Sequence, residues 1–348
     1  MTRRSALTLI AVFLAVLFVP GVLTVVERPH ALVDNRAPAP APHPHLRTLA
    51  DGSYFGALGQ HLQDRLAVRN QAIALDATLD ESLFGVRSPE VTRGRAGWLF
   101  LARRSVECDL PSLRRAAVRL LHDAPRGTTF RLVIGPEKQT VYPERLRARD
   151  AGWGTCSRDT MAALVHGLSH RRDVVDVWSP LRAAATAHPA IPVYYRLDTH
   201  WNDLGGSIAA RAVLDSLAPG RWDPSALVSS TRPPNTGDLT LLLGRPAAEA
   251  TRASFVRRPE VTVDGQGDRS TAGSSGPWLL AGRTVVVHDS FADAMRASLD
   301  PYLGDVTYVA WEDLASPAAQ ATLRSADTVI VEVVERTLTT EAAVGLHR

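Results

Sequence analysis

Two short segments hold the side chains best able to do chemistry. Asp198 and His200 stand two residues apart in Arg196-Leu197-Asp198-Thr199-His200-Trp201-Asn202. Ser290 ends the run Val285-Val286-Val287-His288-Asp289-Ser290. A serine hydroxyl is a weak nucleophile until a base takes its proton, and the base needs a carboxylate to fix its tautomer. All three groups are present, in the order Asp, His, Ser. On an extended segment, residues two apart project to the same side. A short bend would bring the carboxylate of Asp198 to Nδ1 of His200 and leave Nε2 as general base. The plain alternatives are a helix N-cap role for Ser290 or Asp289 and a surface pair without function for Asp198 and His200. The chain has no Gly-x-Ser-x-Gly elbow, no Gly-x-Gly-x-x-Gly, no phosphate-binding lysine loop and no His-Glu-x-x-His. Serine chemistry is therefore the best enzymatic option. No set of residues forms a metal-ligand pattern: His43 and His45 in a proline-rich stretch lack further ligands.

These side chains need a scaffold, and the apolar pattern supplies one. Short runs rich in valine and other apolar residues predict strands over Phe130–Ile134, Val174–Trp178, Thr284–Val287, Val306–Trp311 and Thr328–Val334. Between them, apolar residues at helical spacing predict helices over Met161–Leu168 and Trp201–Leu217, with one or two more between Tyr54 and Leu83. Asn202 or Asp203 would cap the helix after the Asp-x-His pair. Continuous apolar strands alternating with helices predict an α/β fold with a mostly parallel sheet covered on both faces. Ser290 then sits just past one strand. The helix after it would offer N–H groups to a developing oxyanion. Lys138 falls just past the strand ending at Ile134, where loops of open α/β sheets gather ligands. It is the only lysine in a chain that otherwise uses arginine. It is a candidate contact for a sugar or an acidic group, against the plain reading of a solvated loop residue. Trp201 is a candidate to stack on a sugar ring, against a packing role.

The 348 residues can bury a sizeable core, and the net charge of +3 is mild. No basic run interleaves with aromatics, so nucleic acid is not an expected partner. Residues 1–27 contain a nearly unbroken apolar stretch, Ala6–Val26, preceded by Arg3 and Arg4. That length suits a transmembrane signal anchor, and the arginines place the rest of the chain outside the cytoplasm. A cleaved signal peptide is the rival reading. Residues 28–50, with Ala37-Pro38-Ala39-Pro40-Ala41-Pro42, read as a stiff linker. Residues 51–348 form the expected folded domain. Within it, 229–276 is rich in Gly, Ser, Thr, Arg and Pro and reads as an irregular insertion with a mobile tail from Asp264 to Gly276. Cys108 and Cys156, the only cysteines, either pair outside the cytoplasm or remain free.

Several motifs in this order carry a family resemblance. They are Leu62-Gln63-Asp64-Arg65, Gly97-Trp98-Leu99-Phe100, Gly135-Pro136-Glu137-Lys138, Val141-Tyr142-Pro143-Glu144, Asp198-Thr199-His200-Trp201, Gly237-Asp238-Leu239, Asp289-Ser290-Phe291, Val331-Glu332 and Glu335-Arg336. The chain resembles the SGNH-hydrolase-like proteins of bacterial exopolysaccharide O-acetylation, the alginate O-acetyltransferase group, over roughly Tyr54 to Arg336. The resemblance implies an SGNH-hydrolase-like, flavodoxin-like sheet, with Ser290 as nucleophile, His200 as base and Asp198 as its partner. His288 departs from the pattern, standing where the family usually has glycine.

The resemblance further implies acetyl transfer to hydroxyls of an extracytoplasmic polysaccharide through an acetyl-serine. The acetyl groups would come from a membrane-embedded acyltransferase partner, at a single-pass protein of the cell membrane. No cofactor is implied, since acetyl-CoA is not expected outside the cell. An acetyl-esterase with the same triad and a non-catalytic glycan-binding subunit are the alternatives.

Overall fold

The computed structural model describes residues 9–15, 18–19, 22, 39–66, 75, 90–102, 108–274 and 279–346. The chain divides into two units, one of residues 1–91 with 236–247 and one of residues 92–235 with 248–348.

In the first unit, most of the expected anchor, 1–27, lies outside the described residues, as does 28–38 of the linker. Residues 9–15, 18–19 and 22 are helical. Among the described residues no helix is long and apolar enough to cross a membrane. The end of the linker is not a free spacer. Leu46–Ala50 is a helix, and Ala39 is tied to the helix Ser53–Arg65. The Ala39 N–H donates to Asp64 at 2.9 Å, and the His61 Nδ1 lies 2.8 Å from the Ala39 carbonyl. Proline removes backbone donors from this stretch, but Ala39 keeps both of its polar groups for such contacts. The continuation of the expected helix toward Leu83 falls almost entirely outside the described residues. Residues 236–247 form a loop closed by the Gly237 N–H to the Ala247 carbonyl at 3.1 Å, around the short helix Asp238–Leu242.

The strands, in chain order, are β1 (Val91–Arg93), β2 (Leu99–Leu101), β3 (Thr129–Gly135), β4 (Val174–Val175), β5 (Leu227–Thr236), β6 (Ala248–Val256), β7 (Val261–Gln266), β8 (Arg269–Ser274), β9 (Leu280–His288), β10 (Leu303–Ala310) and β11 (Thr328–Val334). Seven of them build the main sheet, in the order β4-β3-β11-β9-β10-β8-β7. The first five run parallel. Their side chains alternate between two cores, as a strand's period of two requires. Val286 and Ile330 enter the core beneath the helices Trp178–Ala187, Asp203–Leu217 and Asp293–Leu299. Val285, Val287, Val329 and Val331 enter the core beneath Leu110–His122, Ala151–Leu168, Pro317–Arg324 and Leu338–Val344. Burial on both faces explains why these strands read as continuous valine-rich runs.

Two expectations are corrected here. The segment 229–276 is not irregular: it contributes β5 and β6, which pair with each other, and the hairpin β7–β8. β8 joins β10 antiparallel, so the sheet is mixed. In the hairpin β7–β8, apart from Val261 and Val263, the residues are small or polar. Their order comes from backbone pairing and from contacts such as Arg269 with Asp305 at 3.0 Å, which hydrophobic periodicity does not report. The expected strand Val174–Trp178 ends at Val175, and Trp178 opens a helix.

Cys108 and Cys156 form a disulfide, with Cα atoms 5.5 Å apart and a separation of 48 positions in sequence. It joins the start of the helix Leu110–His122 to the helix Ala151–Leu168. Chain-entropy reasoning gives such a loop closure roughly 4 kcal/mol of stabilisation.

The central strands fix where a site can form. β11 lies between β3 and β9, while the chain leaves β3 toward β4 on one side and β9 toward β10 on the other. Such a divergence opens a crevice at the carboxyl ends of the strands. The residues at that edge are Gly135, His288 and Val334, so the segments carrying Lys138, Ser290 and Arg336 all emerge there.

Candidate active site

Ser290 follows β9 directly. Asp289, not Ser290, caps the turn, its Oδ1 accepting the Phe291 N–H at 2.9 Å. Asp289 Oδ2 accepts the Val334 N–H at 2.8 Å, which ties the nucleophile segment to the end of β11. Ser290 is left exposed. The following helix is short. The Phe291 N–H goes to the Asp289 side chain, and the Ala292 N–H goes to the Asp289 carbonyl at 3.3 Å. The sequence-based expectation of a row of free N–H groups is corrected accordingly, since Asp289 occupies two of them.

Asp198 and His200 sit in a loop closed by an antiparallel bridge between Tyr194 and Trp201 and by the Tyr195 N–H to the His200 carbonyl at 3.3 Å. Asn202 ends the loop as helix N-cap, its Oδ1 accepting from Leu204 and Gly205. Inside the loop the chain bends as an Asx turn: Asp198 Oδ1 accepts the His200 N–H at 3.0 Å and faces His200 Nδ1 at 2.6 Å. A carboxylate only accepts, so the Nδ1 proton faces Asp198, and Nε2 is the lone-pair nitrogen. That Nε2 lies 2.7 Å from Ser290 Oγ. Three groups separated by up to ninety-two residues thus form one hydrogen-bonded series. The imidazole packs on Phe291, ring centroids 4.9 Å apart.

Lys138 and Trp201 do not sit where a substrate could touch them, and their expected binding roles are corrected. Lys138 is 1% exposed and donates to the carbonyls of Tyr195, Arg196 and Asp198 at 3.1, 3.2 and 2.5 Å. A buried ammonium must meet acceptors, and this loop supplies them. Trp201 is 0% exposed, and its Nε1 donates to the Phe291 carbonyl at 2.7 Å. It is a strut between the base segment and the nucleophile segment.

Two supporting residues, Glu249 and Asn235, left no sequence signal as such. Glu249 in β6 accepts the Leu197 N–H at 2.8 Å and the Arg196 N–H at 3.2 Å, holding the Asp-x-His loop from its other side. Asn235 donates to Asp198 Oδ2 at 3.3 Å. Both lie in the segment that read as an insertion, and an isolated Glu or Asn carries no spacing to reveal it. Beyond β11, Arg336 pairs with Glu137 at 2.5 Å, Glu335 accepts from Thr140, and Tyr194 donates its hydroxyl to the Pro136 carbonyl. These bonds lock the segments after β3 and β11 together. His288 lies edge-on to Tyr308, centroids 5.5 Å apart, and its Nδ1 is 2.7 Å from the Asp289 carbonyl.

Glu332 in β11 is 0% exposed, and its Oε2 accepts the Asp289 N–H at 3.2 Å. Burial first, and the neighbouring Asp289 charge second, push its carboxyl well above the usual glutamate range. A group kept protonated in the fold but free to ionise when unfolded costs stability as pH rises. The loss begins near the ordinary glutamate value of 4.5 and grows until the folded pKa is passed. Glu332→Gln keeps the shape and removes the titration. The stability of this variant relative to the parent should therefore climb with pH, measured by denaturant melts between roughly pH 4 and pH 8. A difference independent of pH would contradict a buried neutral Glu332.

A serine, an imidazole and a carboxylate in series at the carboxyl edge of an α/β sheet is the arrangement of serine hydrolases and serine-dependent acyltransferases. A family model described as "SGNH hydrolase-like domain, acetyltransferase AlgX" matches residues 91–326, more than half of the chain, and the chain belongs to that family. It is 26% identical over 262 residues to a probable alginate O-acetylase AlgJ of Pseudomonas syringae pv. tomato, covering 70% of this chain and 61% of that protein. It is 27% identical over 210 residues to the Pseudomonas putida protein of the same name, covering 56% and 53%. The chain thus spans somewhat over half the length of these relatives. Among solved structures, the O-acetyltransferase domain of Pseudomonas putida AlgJ aligns with a TM-score of 0.46 at 20% identity, covering 72% of this chain and 92% of that one. Bacillus cereus PatB1 with a sulfonyl adduct aligns with a TM-score of 0.50 at 9% identity, covering 70% and 93%. The likeness to PatB1 is one of fold. The fold is SGNH-hydrolase-like, with a mixed sheet and flanking helices.

Proposed function

We propose that this protein transfers acetyl groups to hydroxyls of an extracytoplasmic polysaccharide through an acetyl-serine on Ser290. The observation that carries the reading is the 2.7 Å contact between Ser290 Oγ and His200 Nε2, with Asp198 on the far nitrogen at 2.6 Å. Family membership and the names of the curated relatives support acetyl as the group transferred.

His200 takes the Ser290 proton as the oxygen attacks the acetyl carbonyl. The tetrahedral oxyanion forms beside the Ser290 backbone N–H. The imidazolium, steadied by Asp198, returns the proton to the leaving group of the donor, and acetyl-Ser290 remains. A sugar hydroxyl then gives its proton to His200 and attacks the acetyl-serine. Collapse releases the O-acetyl sugar and restores the Ser290 hydroxyl. The donor in this reading is a membrane-embedded acyltransferase, and residues 1–27 hold the chain to the membrane beside it.

The exposure of Ser290 favours a second reading, in which water takes the acetyl group and the protein is an acetyl-esterase. The test is incubation with an activated acetyl ester, with and without a glycan acceptor. Mass spectrometry should find one acetyl group on the peptide holding Ser290, and acceptor should divert acetyl from free acetate to glycan. Free acetate unaffected by acceptor would decide for the esterase. No adduct and no turnover would overturn both.

A further inference from the structure

We propose that Lys138 is a positioning residue for the acid–base pair: its buried ammonium organises the loop that presents Asp198 to His200. The inference rests on the reading of Ser290 as nucleophile and adds a residue to its machinery.

The loop between the bridged residues Tyr194 and Trp201 turns three carbonyls, those of Tyr195, Arg196 and Asp198, onto one point. Converging carbonyl dipoles repel one another, and buried carbonyls without donors are costly. A cation at their focus offsets the repulsion and supplies donors, most of all to the buried Asp198 carbonyl; the Arg196 carbonyl also accepts the Leu99 N–H at 2.9 Å. An ammonium carries three donors on one nitrogen. Lys138 Nζ occupies that focus. Its shortest contact, 2.5 Å, is to the carbonyl of Asp198 itself. The backbone of the triad acid is thereby held on one side by Lys138, while its carboxylate meets the His200 backbone N–H and ring on the other.

Lys138 is itself well held. It opens the short helix after β3, its neighbour Glu137 pairs with Arg336 beyond β11, and Thr140 donates to Glu335. Its ammonium lies 5.8 Å from the Trp98 ring centroid and 5.4 Å from that of Phe100, contacts that favour a desolvated cation. The clamp therefore carries the rigidity of the central strands into a loop that has no sheet of its own.

The same geometry accounts for a feature of composition. Arginine serves everywhere else in the chain, yet this position holds the one lysine. A guanidinium spreads its donors over a planar fork and cannot direct three of them from one nitrogen to three converging carbonyls. The exception follows from the need for a point cation.

The test uses Lys138→Met, near in size but without donors, and Lys138→Arg, which keeps the charge and much of the bulk. Two readouts are taken on protein shown to be folded by circular dichroism. One is the rate at which a sulfonyl fluoride labels Ser290. The other is the far-downfield proton resonance of a carboxylate-bound imidazole Nδ1–H, assigned by its loss in His200→Gln. In Lys138→Met, labelling should slow about 100-fold, the scale of a misplaced catalytic group, and the downfield resonance should vanish. In Lys138→Arg, labelling should slow at least about 10-fold despite the retained charge. With an activated acetyl ester, kcat should fall while KM holds, because Lys138 touches no substrate.

Parent-like labelling and an unchanged resonance in either folded variant would overturn the proposal. If Lys138→Met does not fold, the Lys138→Arg result alone decides. If the parent protein never labels at Ser290 but its resonance is present and lost in the variants, the positioning role stands and the nucleophile reading fails. The two ideas are thereby separable.

Discussion

Ser290→Ala should reduce acetyl turnover by about 10⁴-fold or more and leave the melting temperature almost unchanged. The first half follows from the missing oxygen, without which no acetyl-enzyme can form. The second follows from location. Ser290 is exposed, and the cap that orders its turn comes from Asp289, whose carboxylate keeps its bonds to Phe291 and Val334. The hydroxyl's contact with His200 is the one the substitution removes. His200→Ala should lose a similar factor. The double variant should be little worse than either single one, because groups that act in series fail together. Steady-state kinetics on the three proteins and a melting curve for each check this. Multiplying losses would mean that Ser290 and His200 do not act as a unit. Unchanged glycan acetylation with folded Ser290→Ala would instead favour a non-catalytic, glycan-binding role.

The second large effect concerns distance rather than chemistry. Gly206→Ala should destabilise the fold by about 2–3 kcal/mol and slow the reaction of Ser290 as well. The helix Asp203–Leu217 begins three residues after His200, and the helix Asp293–Leu299 begins three residues after Ser290. A methyl at Gly206 would lie 2.2 Å from the carbonyl oxygen of Ala294 and 2.4 Å from its carbonyl carbon. Both are backbone atoms, so a helix must move. Moving either one stretches the 2.7 Å contact between base and nucleophile. Alanine is the better helix former by about 1 kcal/mol, so the packing loss must exceed that gain. Gly152→Ala isolates the helix term, since a methyl there meets nothing within 4 Å. That variant should hold or slightly raise stability. Thermal melts and Ser290 labelling rates on both variants would decide the matter. A Gly206→Ala protein melting with the parent would show that the two helices have slack.

The central strands and the residues of the hydrogen-bonded series were legible early, for physical reasons. Val285–Val287 of β9 and Val329–Val331 of β11 are buried on both faces, and burial of that kind demands unbroken apolar runs. Asp198 and His200 are two apart, so one local turn suffices to join them. Asn202 announced its helix through capping chemistry that spans three residues. The hairpin β7–β8 was not legible, because strands at the sheet's edge form by pairing with β10 rather than by burying an alternating face. Glu249 and Asn235 were hidden with it, since a lone polar residue shows its partner only after folding.

By itself, the sequence determined which groups could react and which segments would become the inner strands, because both depend on residue type and short-range spacing. Tertiary structure alone decided that Lys138 faces inward to three carbonyls, that Trp201 braces rather than binds, that Glu332 is buried beside Asp289, and that Cys108 meets Cys156. Each of these depends on distant segments being brought together, where the cost of burying an unpaired polar group selects the partner. No local pattern encodes that choice.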